Sequence, residues 1–249
     1  MKRLFIDIET SPNIVLSWRT GYKINITHDS ILQERAIICA CWKWEGQDKV
    51  HHSQWIRGND ENVVKAVVKV MLEADEIVGH NGDRFDVPWI NTRALMLGLP
   101  PVPQWKTVDT LKIAKKHFYF NSNKLDYIAS VLLGTKKDKT EFDMWKAILL
   151  NNSETAMKRM VKYCKKDTAL LEKVYQKLVP YATPKSHVGA LYGEERWVCP
   201  WTGSDNVIKS KTRTTSRGTV QHQMQSKETG GYYTISNTAY SQYLEEKGR

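Results

Sequence analysis

The stretch RLFIDIET, residues 3–10, constrains this chain more than any other. It is apolar enough to be a buried strand, yet it carries Asp7 and Glu9. Side chains alternate faces along a strand, so Phe5, Asp7 and Glu9 share one face and Leu4, Ile6 and Ile8 the other. Two like charges on one half-buried face are costly unless a cation lies between them. Two readings follow: an edge strand whose acids point into water, or an inner strand whose acids share a positive partner.

The rest of the chain bounds the choice. With 249 residues it is long enough for one sizeable domain plus a small one. Its 41% hydrophobic and 26% charged residues are those of an ordinary globular protein and argue against a disordered one. No apolar run approaches a membrane span, and no signal-peptide core follows Lys2 and Arg3. Four cysteines, Cys39, Cys41, Cys164 and Cys199, form no closely spaced framework. That predicts a reducing setting, cytoplasmic or nucleoid-associated. The formal charge of +10 favours an anionic partner, most often nucleic acid, though it supplies affinity and not identity. A basic surface that is merely solvated is the other reading.

Strand and helix signals alternate through the first part. Residues 3–10, 13–18 and 36–44 read as strands rich in Ile, Val and Trp, with a weaker one over 49–55. Residues 61–74 have apolar positions at helical spacing and lead into a short strand over 76–81. A second helix is expected from about Val87 to Leu97, closed by Gly98 and the prolines after it. KTVDTL, 106–111, reads as a last short strand or turn, and mostly helical segments follow from 107 to 179. VPYATP, 179–184, punctuates the chain. Beyond it the sequence turns to Thr, Ser, Gly and Tyr, with β-like pieces at RWVCPW (196–201) and GGYYTIS (230–236). Between them lies a polar segment, 209–219, with Lys209, Lys211, Arg213 and Arg217 and no acid. The expected fold class is therefore α/β, a mixed sheet flanked by helices over residues 1–180, with a small basic β-rich appendage over 185–249.

Two further segments carry acids in suggestive settings. In HNGDRFD, 80–86, Asp86 follows a strand end and stands at the mouth of a helix whose Pro88 suits the first turn. Capping that helix is its ordinary alternative. In YCKKD, 163–167, Tyr163 and Asp167 are four apart and share a helical face. Alone, that pair proves little beside Lys162, Lys165 and Lys166. Together the segments supply Asp7, Glu9, Asp86 and Asp167, an all-oxygen set suited to hard divalent cations. Two such ions about 3.5–4 Å apart can clamp the attacking and leaving oxygens of a phosphodiester. No His pair or Cys cluster competes at metal-ligand spacing, and there is no Gly-rich phosphate loop or nucleophile elbow.

Three motifs now stand in order: Asp-x-Glu at Asp7 and Glu9, Asn-x-x-x-Phe-Asp from Asn81 to Asp86, and Tyr-x-x-x-Asp from Tyr163 to Asp167. In this the chain resembles the DEDD superfamily of 3′–5′ exonucleases, tyrosine subgroup, which is built on the RNase H-like fold and includes proofreading domains of DNA polymerases. Residues 108–134 are also similar to stand-alone and family-B-polymerase-like members, and the resemblance covers residues 1 to about 180. It implies that Asp7, Glu9, Asp86 and Asp167 hold two Mg²⁺ or Mn²⁺ ions and that Tyr163 orients the attacking water. It further implies that Asn81 lies near the substrate strand and that Thr10 meets the terminal nucleotide through its backbone. Asp109 is either an acid behind the site or a helix cap. His80 and His117 are given no role.

The appendage has its own echo. Some relatives end in a zinc ribbon with two Cys-x-x-Cys knuckles, but here Cys199 stands alone, Thr202 takes its partner's place, and 222–231 has no cysteine. The expectation is a ribbon-like hairpin without zinc. Lys209, Lys211, Arg213 and Arg217 are candidates to grip phosphates, and Trp197, Trp201, Tyr232 and Tyr233 either stack on bases or form the hairpin's own core. The likeness to proofreading domains favours DNA, as single-stranded 3′ ends, with RNA open because nothing in the motifs reports on a 2′-hydroxyl. A separate polymerase or replication protein is a possible partner, and no membrane is expected. Two alternatives to this reading are an exoribonuclease on the same fold and a nucleic-acid-binding module without chemistry.

Overall fold

The computed structural model describes residues 1–21, 23–135 and 142–248. The part of the expected helical run that falls on 136–141 lies outside the described residues. The elements begin with β1 (Arg3–Thr10), β2 (Ile14–Val15), β3 (Ile31–Gln33), β4 (Ile37–Trp44) and β5 (His51–Gln54). Helix and strand then alternate through α1 (Glu61–Leu72), β6 (Glu76–Gly79), α2 (Asp86–Met96) and β7 (Lys106–Asp109). Helices follow: α3 (Thr110–His117), α4 (Leu125–Leu133), α5 (Phe142–Asn151) and α6 (Glu154–Leu178). The last stretch holds α7 (Val188–Leu191), β8 (Val207–Thr214), β9 (Val220–Ser226), β10 (Tyr232–Ser236) and α8 (Asn237–Lys247).

The main sheet is ordered β5-β4-β1-β6-β7. Strand β1 runs antiparallel to β4 and parallel to β6, and β7 is parallel to β6. It is thus the central strand, so the reading of Asp7 and Glu9 as edge-strand acids facing water does not hold. The alternation of β1 is real. Leu4, Ile6 and Ile8 join the apolar cluster with Val63, Val64 and Val67 of α1 and Ile90 of α2. On the opposite face Phe5 meets Tyr175 of α6 edge-on, with ring centroids 5.3 Å apart. The register sets Phe5, Asp7 and Glu9 opposite Lys43, Cys41 and Cys39 of β4, and paired residues in an antiparallel ladder share a face. Accordingly Lys43 pairs with Glu172 of α6, and Cys41 lies against the Val161 carbonyl of the same helix. Helix α6 starts at a proper cap, the Ser153 hydroxyl accepting from the Ala156 amide.

Four expectations need correction. The strand expected over 13–18 shrinks to β2, which pairs with β3 outside the main sheet. RWVCPW is not a strand: Cys199 and Gly203 close a turn there, and Pro200 has no amide to give a ladder. The polar segment 209–219, set between the two expected β-like pieces, is itself most of edge strand β8 and its turn to β9. With only Val207 of β8 buried, that strand has no apolar alternation to betray it. Finally, the appendage ends in a helix, α8, capped by Ser236.

The small sheet β10-β9-β8 is not held to the rest by its linker alone. Trp197, Trp201, Tyr233, Ile235 and Ala239 belong to one apolar cluster with Val78, Val108, Leu171 and Val174 of the main body. The fit is close, since a Cβ on Gly231 would come within 2.7 Å of the Trp201 ring and 3.1 Å of the Pro180 Cα. Where the resemblance suggests zinc knuckles, the two turns are instead joined by a hydrogen bond from the Thr202 hydroxyl to Glu228 at 2.9 Å.

Candidate active site

Asp7 and Glu9 project from the face of β1 that α6 covers, beside Cys41 and Cys39 in the ladder. Cys164 of α6 closes the same face, its thiol donating to the Asp7 carbonyl at 3.4 Å. Asp86 is the first residue of α2 and not its cap; Phe85 holds the cap position and offers no side-chain bond. Asp86 is 3% exposed, and its Oδ1 accepts from the Ile8 amide at 3.0 Å. That bond ties the third acid to the residue between the first two.

A tight turn makes this possible. A Cβ on Gly79 would sit 3.0 Å from the Gly82 Cα, so the chain folds back on itself just after β6. Asn81 takes the left-handed conformation, φ 69°, which asparagine tolerates better than most residues. Its amide donates to Asp109 Oδ1 at 2.9 Å, and its carbonyl accepts from the amides of Arg84 and Phe85. Asp109 also caps α3 through Leu111 at 3.0 Å, so it serves both as a cap and as a prop for the Asn81 turn. His80 is a strut, with Nδ1 2.9 Å from the Thr110 hydroxyl and Nε2 2.8 Å from the Asn123 carbonyl.

The four acids feel one another. Burial pushes Asp7 well above the usual carboxylate range, and the charges of Glu9, Asp86 and Asp167 push it further. Glu9 is raised to about 8 by burial and by Asp167 and Asp86. Asp86 is raised to about 7 by burial, against the opposing bond from Ile8. Tyr163 is raised as well, first by burial and then by the charge of Asp167 and a hydrogen bond to it. The phenol therefore stays protonated and donates. Asp7, Glu9, Asp86 and Asp167 thus lie close enough to influence one another electrostatically, with Tyr163 bonded to Asp167.

Thr10 is buried and tied down: its hydroxyl accepts from Arg35 at 2.9 Å and its carbonyl from the Trp145 indole at 3.1 Å. Arg35 in turn lies over the Trp89 ring, 4.7 Å from its centroid. Sequence reasoning missed Arg35, Trp89 and Trp145, and no spacing signal links them to Thr10. Among the basic residues of the appendage, Lys209 and Arg213 have partners in α8 and the small sheet. A bulge between Lys209 and Lys211 shifts the register of β8, so the even spacing of Lys209, Lys211 and Arg213 does not put them on one face. Lys209 pairs with buried Met224 and lies over the Tyr240 ring, while Arg213 reaches Gln223 on the other side. Arg217 is exposed in the turn between β8 and β9. Trp197, Trp201 and Tyr233 are core residues; Tyr232 alone of the four aromatics is exposed.

A family model described as the RNase_H superfamily matches residues 27–179, more than half of the chain. The chain belongs to the RNase_H superfamily. The match includes Asp86, Tyr163 and Asp167 and starts after β1. Among solved structures, this RNase H-like chain is similar to the family B DNA polymerase from the hyperthermophilic archaeon Pyrobaculum calidifontis, with TM-score 0.56 and 19% identity. The likeness covers 72% of this chain and 24% of the polymerase, so it shows the fold, and the chain spans about a quarter of that protein's length. No curated protein matches. Among the described residues no helix is long and apolar enough to cross a membrane.

RNase H-like nucleases work with divalent metals, and one observation bears on whether these residues suit them. Asp7 Oδ2 is buried without a hydrogen-bond partner, an orphaned acceptor among acids already held up by mutual repulsion. As they lie, no three His, Cys, Asp or Glu among the described residues are gathered at ion-holding spacing. An all-carboxylate set with an unmet oxygen nevertheless fits a hard cation and nothing softer.

Proposed function

We propose that this chain is a metal-dependent 3′–5′ exonuclease of the DEDD kind, tyrosine subgroup, hydrolysing phosphodiester bonds at single-stranded DNA 3′ ends. The observation that carries the reading is the Asp86–Ile8 bond, which draws acids from separate segments around Asp7. The DNA preference leans on the polymerase likeness. In this reading residues 1–180 do the chemistry and 185–249 add a basic surface, in a cytoplasmic or nucleoid-associated setting.

Asp7, Glu9, Asp86 and Asp167 would hold two Mg²⁺ or Mn²⁺ ions. When bound, these ions supply positive charge to the attacking and leaving oxygens of the phosphodiester. Tyr163 does not serve as the base, because burial and Asp167 keep its hydroxyl protonated; it positions the incoming water. Thr10, immobilised by Arg35 and Trp145, presents a rigid backbone to the terminal nucleotide, and Asn81 flanks the strand.

Matched 3′-labelled, 5′-labelled and circular substrates of DNA and RNA, incubated with Mg²⁺ or Mn²⁺, test the proposal. A ladder shortening from the 3′ end, lost in Asp7→Ala, is the expected result. Cleavage of circles would replace it with an endonuclease, and faster trimming of RNA would reassign the substrate.

A further inference from the structure

Among the described residues three arginines are buried or half-buried, Arg3, Arg35 and Arg93, and they differ in what neutralises them. Arg3 pairs with Glu45 and Glu76. Arg93 grips Asp60 through two nitrogens, both at 2.7 Å. Arg35 forms no ion pair among the described residues and bonds only to neutral acceptors.

Its guanidinium is nonetheless fixed. Nε donates to the Ser11 carbonyl at 3.1 Å, Nη2 to the Thr10 hydroxyl at 2.9 Å, and the group lies over the Trp89 ring. The Arg35 amide is anchored too, donating to Asn13 Oδ1 at 2.9 Å. Arg35 therefore touches the last residue of β1, next to Glu9, and helix α2 three residues past Asp86. These bonds leave Nη1 untouched. It has no partner and is not buried, so its N–H groups face water.

We propose that Arg35 is a phosphate-binding residue, holding one backbone phosphate of the strand whose 3′ end reaches the carboxylates. A guanidinium offers its N–H groups in a rigid fork that matches phosphate oxygens. Arg3 and Arg93 spend theirs on carboxylates, whereas Arg35 keeps its whole charge for an anion from outside. Its stack on Trp89 and its bonds to Ser11 and Thr10 hold the fork in place before the ligand arrives, which lowers the ordering cost of binding. The identity of the ligand rests on the nuclease reading.

The test is the binding of 5′-fluorescein-labelled single-stranded DNA, followed by anisotropy in EDTA so that no cation supports cleavage. Each strand carries one neutral methylphosphonate linkage, placed in turn at successive positions from the 3′ end. For the wild-type chain one linkage is expected to stand out, weakening binding about 10-fold when it is neutralised. Arg35→Gln is expected to bind the unmodified strand about 10-fold more weakly, to lose the response at that linkage, and to show a salt slope smaller by roughly 0.7. A residue that only braced Thr10 would leave the linkage response and the slope in place. Arg35→Lys keeps the charge without the fork, and is expected to retain the response at affinity about 3-fold below wild type. The wild-type scan needs no variant, so it decides even if Arg35→Gln does not fold. A scan in which no linkage stands out, or an Arg35→Gln protein that keeps the response, overturns the proposal. Because binding is read without cleavage, a missing 3′ ladder and a missing Arg35 effect are separate failures.

Discussion

Tyr163 and Asp167 do different jobs, and single substitutions separate them. Tyr163→Phe keeps the ring and every carboxylate, so folding and cation affinity are expected to survive while the single-turnover rate falls roughly 10- to 1000-fold. Asp167→Asn removes a charge and is expected to weaken Mn²⁺ affinity as well as rate. A rate titration against Mn²⁺ distinguishes the two by a low ceiling or a shifted midpoint, and a wild-type rate for the Phe variant reduces the tyrosine to packing. The raised acids have a second consequence. Glu9 at about 8 and Asp86 at about 7 titrate above their unfolded values, so without cations the folded chain binds more protons than the unfolded one between about pH 4 and 8. Stability therefore falls as pH rises through that window. Melting in EDTA should occur at lower temperature at about pH 8.5 than at about pH 5.5, Mn²⁺ should raise it most at the higher pH, and Asp7→Ala should flatten both trends. A melting temperature that climbs with pH in EDTA would contradict the cluster. The shared face of Asp7 and Glu9 was legible because alternation is local. Arg35 and Trp145 were not, since Thr10 meets them across 25 and 135 residues.

Helix α6 joins almost everything of interest. One face carries Val161 and Cys164 against β4 and β1, Thr168 bonds back to the Cys164 carbonyl within the helix, and a turn further on Glu172 meets Lys43. Both partners of that pair are buried, and Glu172 also accepts from the Gly46 amide at 3.0 Å. Glu172→Ala leaves the Lys43 ammonium stranded and is expected to cost about 3–5 kcal/mol in urea unfolding, whereas replacing both by Met and Leu should recover most of it. A loss under about 1 kcal/mol would mean water screens the pair. The helix itself was readable as part of the helical run expected over 107–179, but β8 was not. A strand exposed on both faces has no hydrophobic period, and its bulge between Lys209 and Lys211 is invisible in the spacing of its charges. Strand β1 shows the opposite case, with a period strong enough to place it inside a sheet.

The whole molecule departs from its composition at 179–184. That punctuation suggested a separable appendage, yet the rings of Trp197, Trp201 and Tyr233 complete a cluster begun by the main body. Each such ring buries on the order of 150–250 Å², so exposing the surface three of them cover would cost roughly 10 kcal/mol, comparable to a domain's entire stability. Ending the chain at residue 184 is thus expected to yield insoluble or molten protein, read by loss of near-ultraviolet dichroism; a cooperative melt in that truncation would show the body to be self-sufficient. What composition could not reveal is that aromatic residues in a Thr- and Gly-rich stretch were core for a distant helix. The order of the elements has one more outcome, in time. During synthesis β1 emerges well before its neighbours β4 and β6, and Tyr163 and Asp167 come later still. On the nuclease reading, a nascent chain acquires its last acid only once α6 has left the ribosome, so the growing polypeptide cannot cut before most of it has been made.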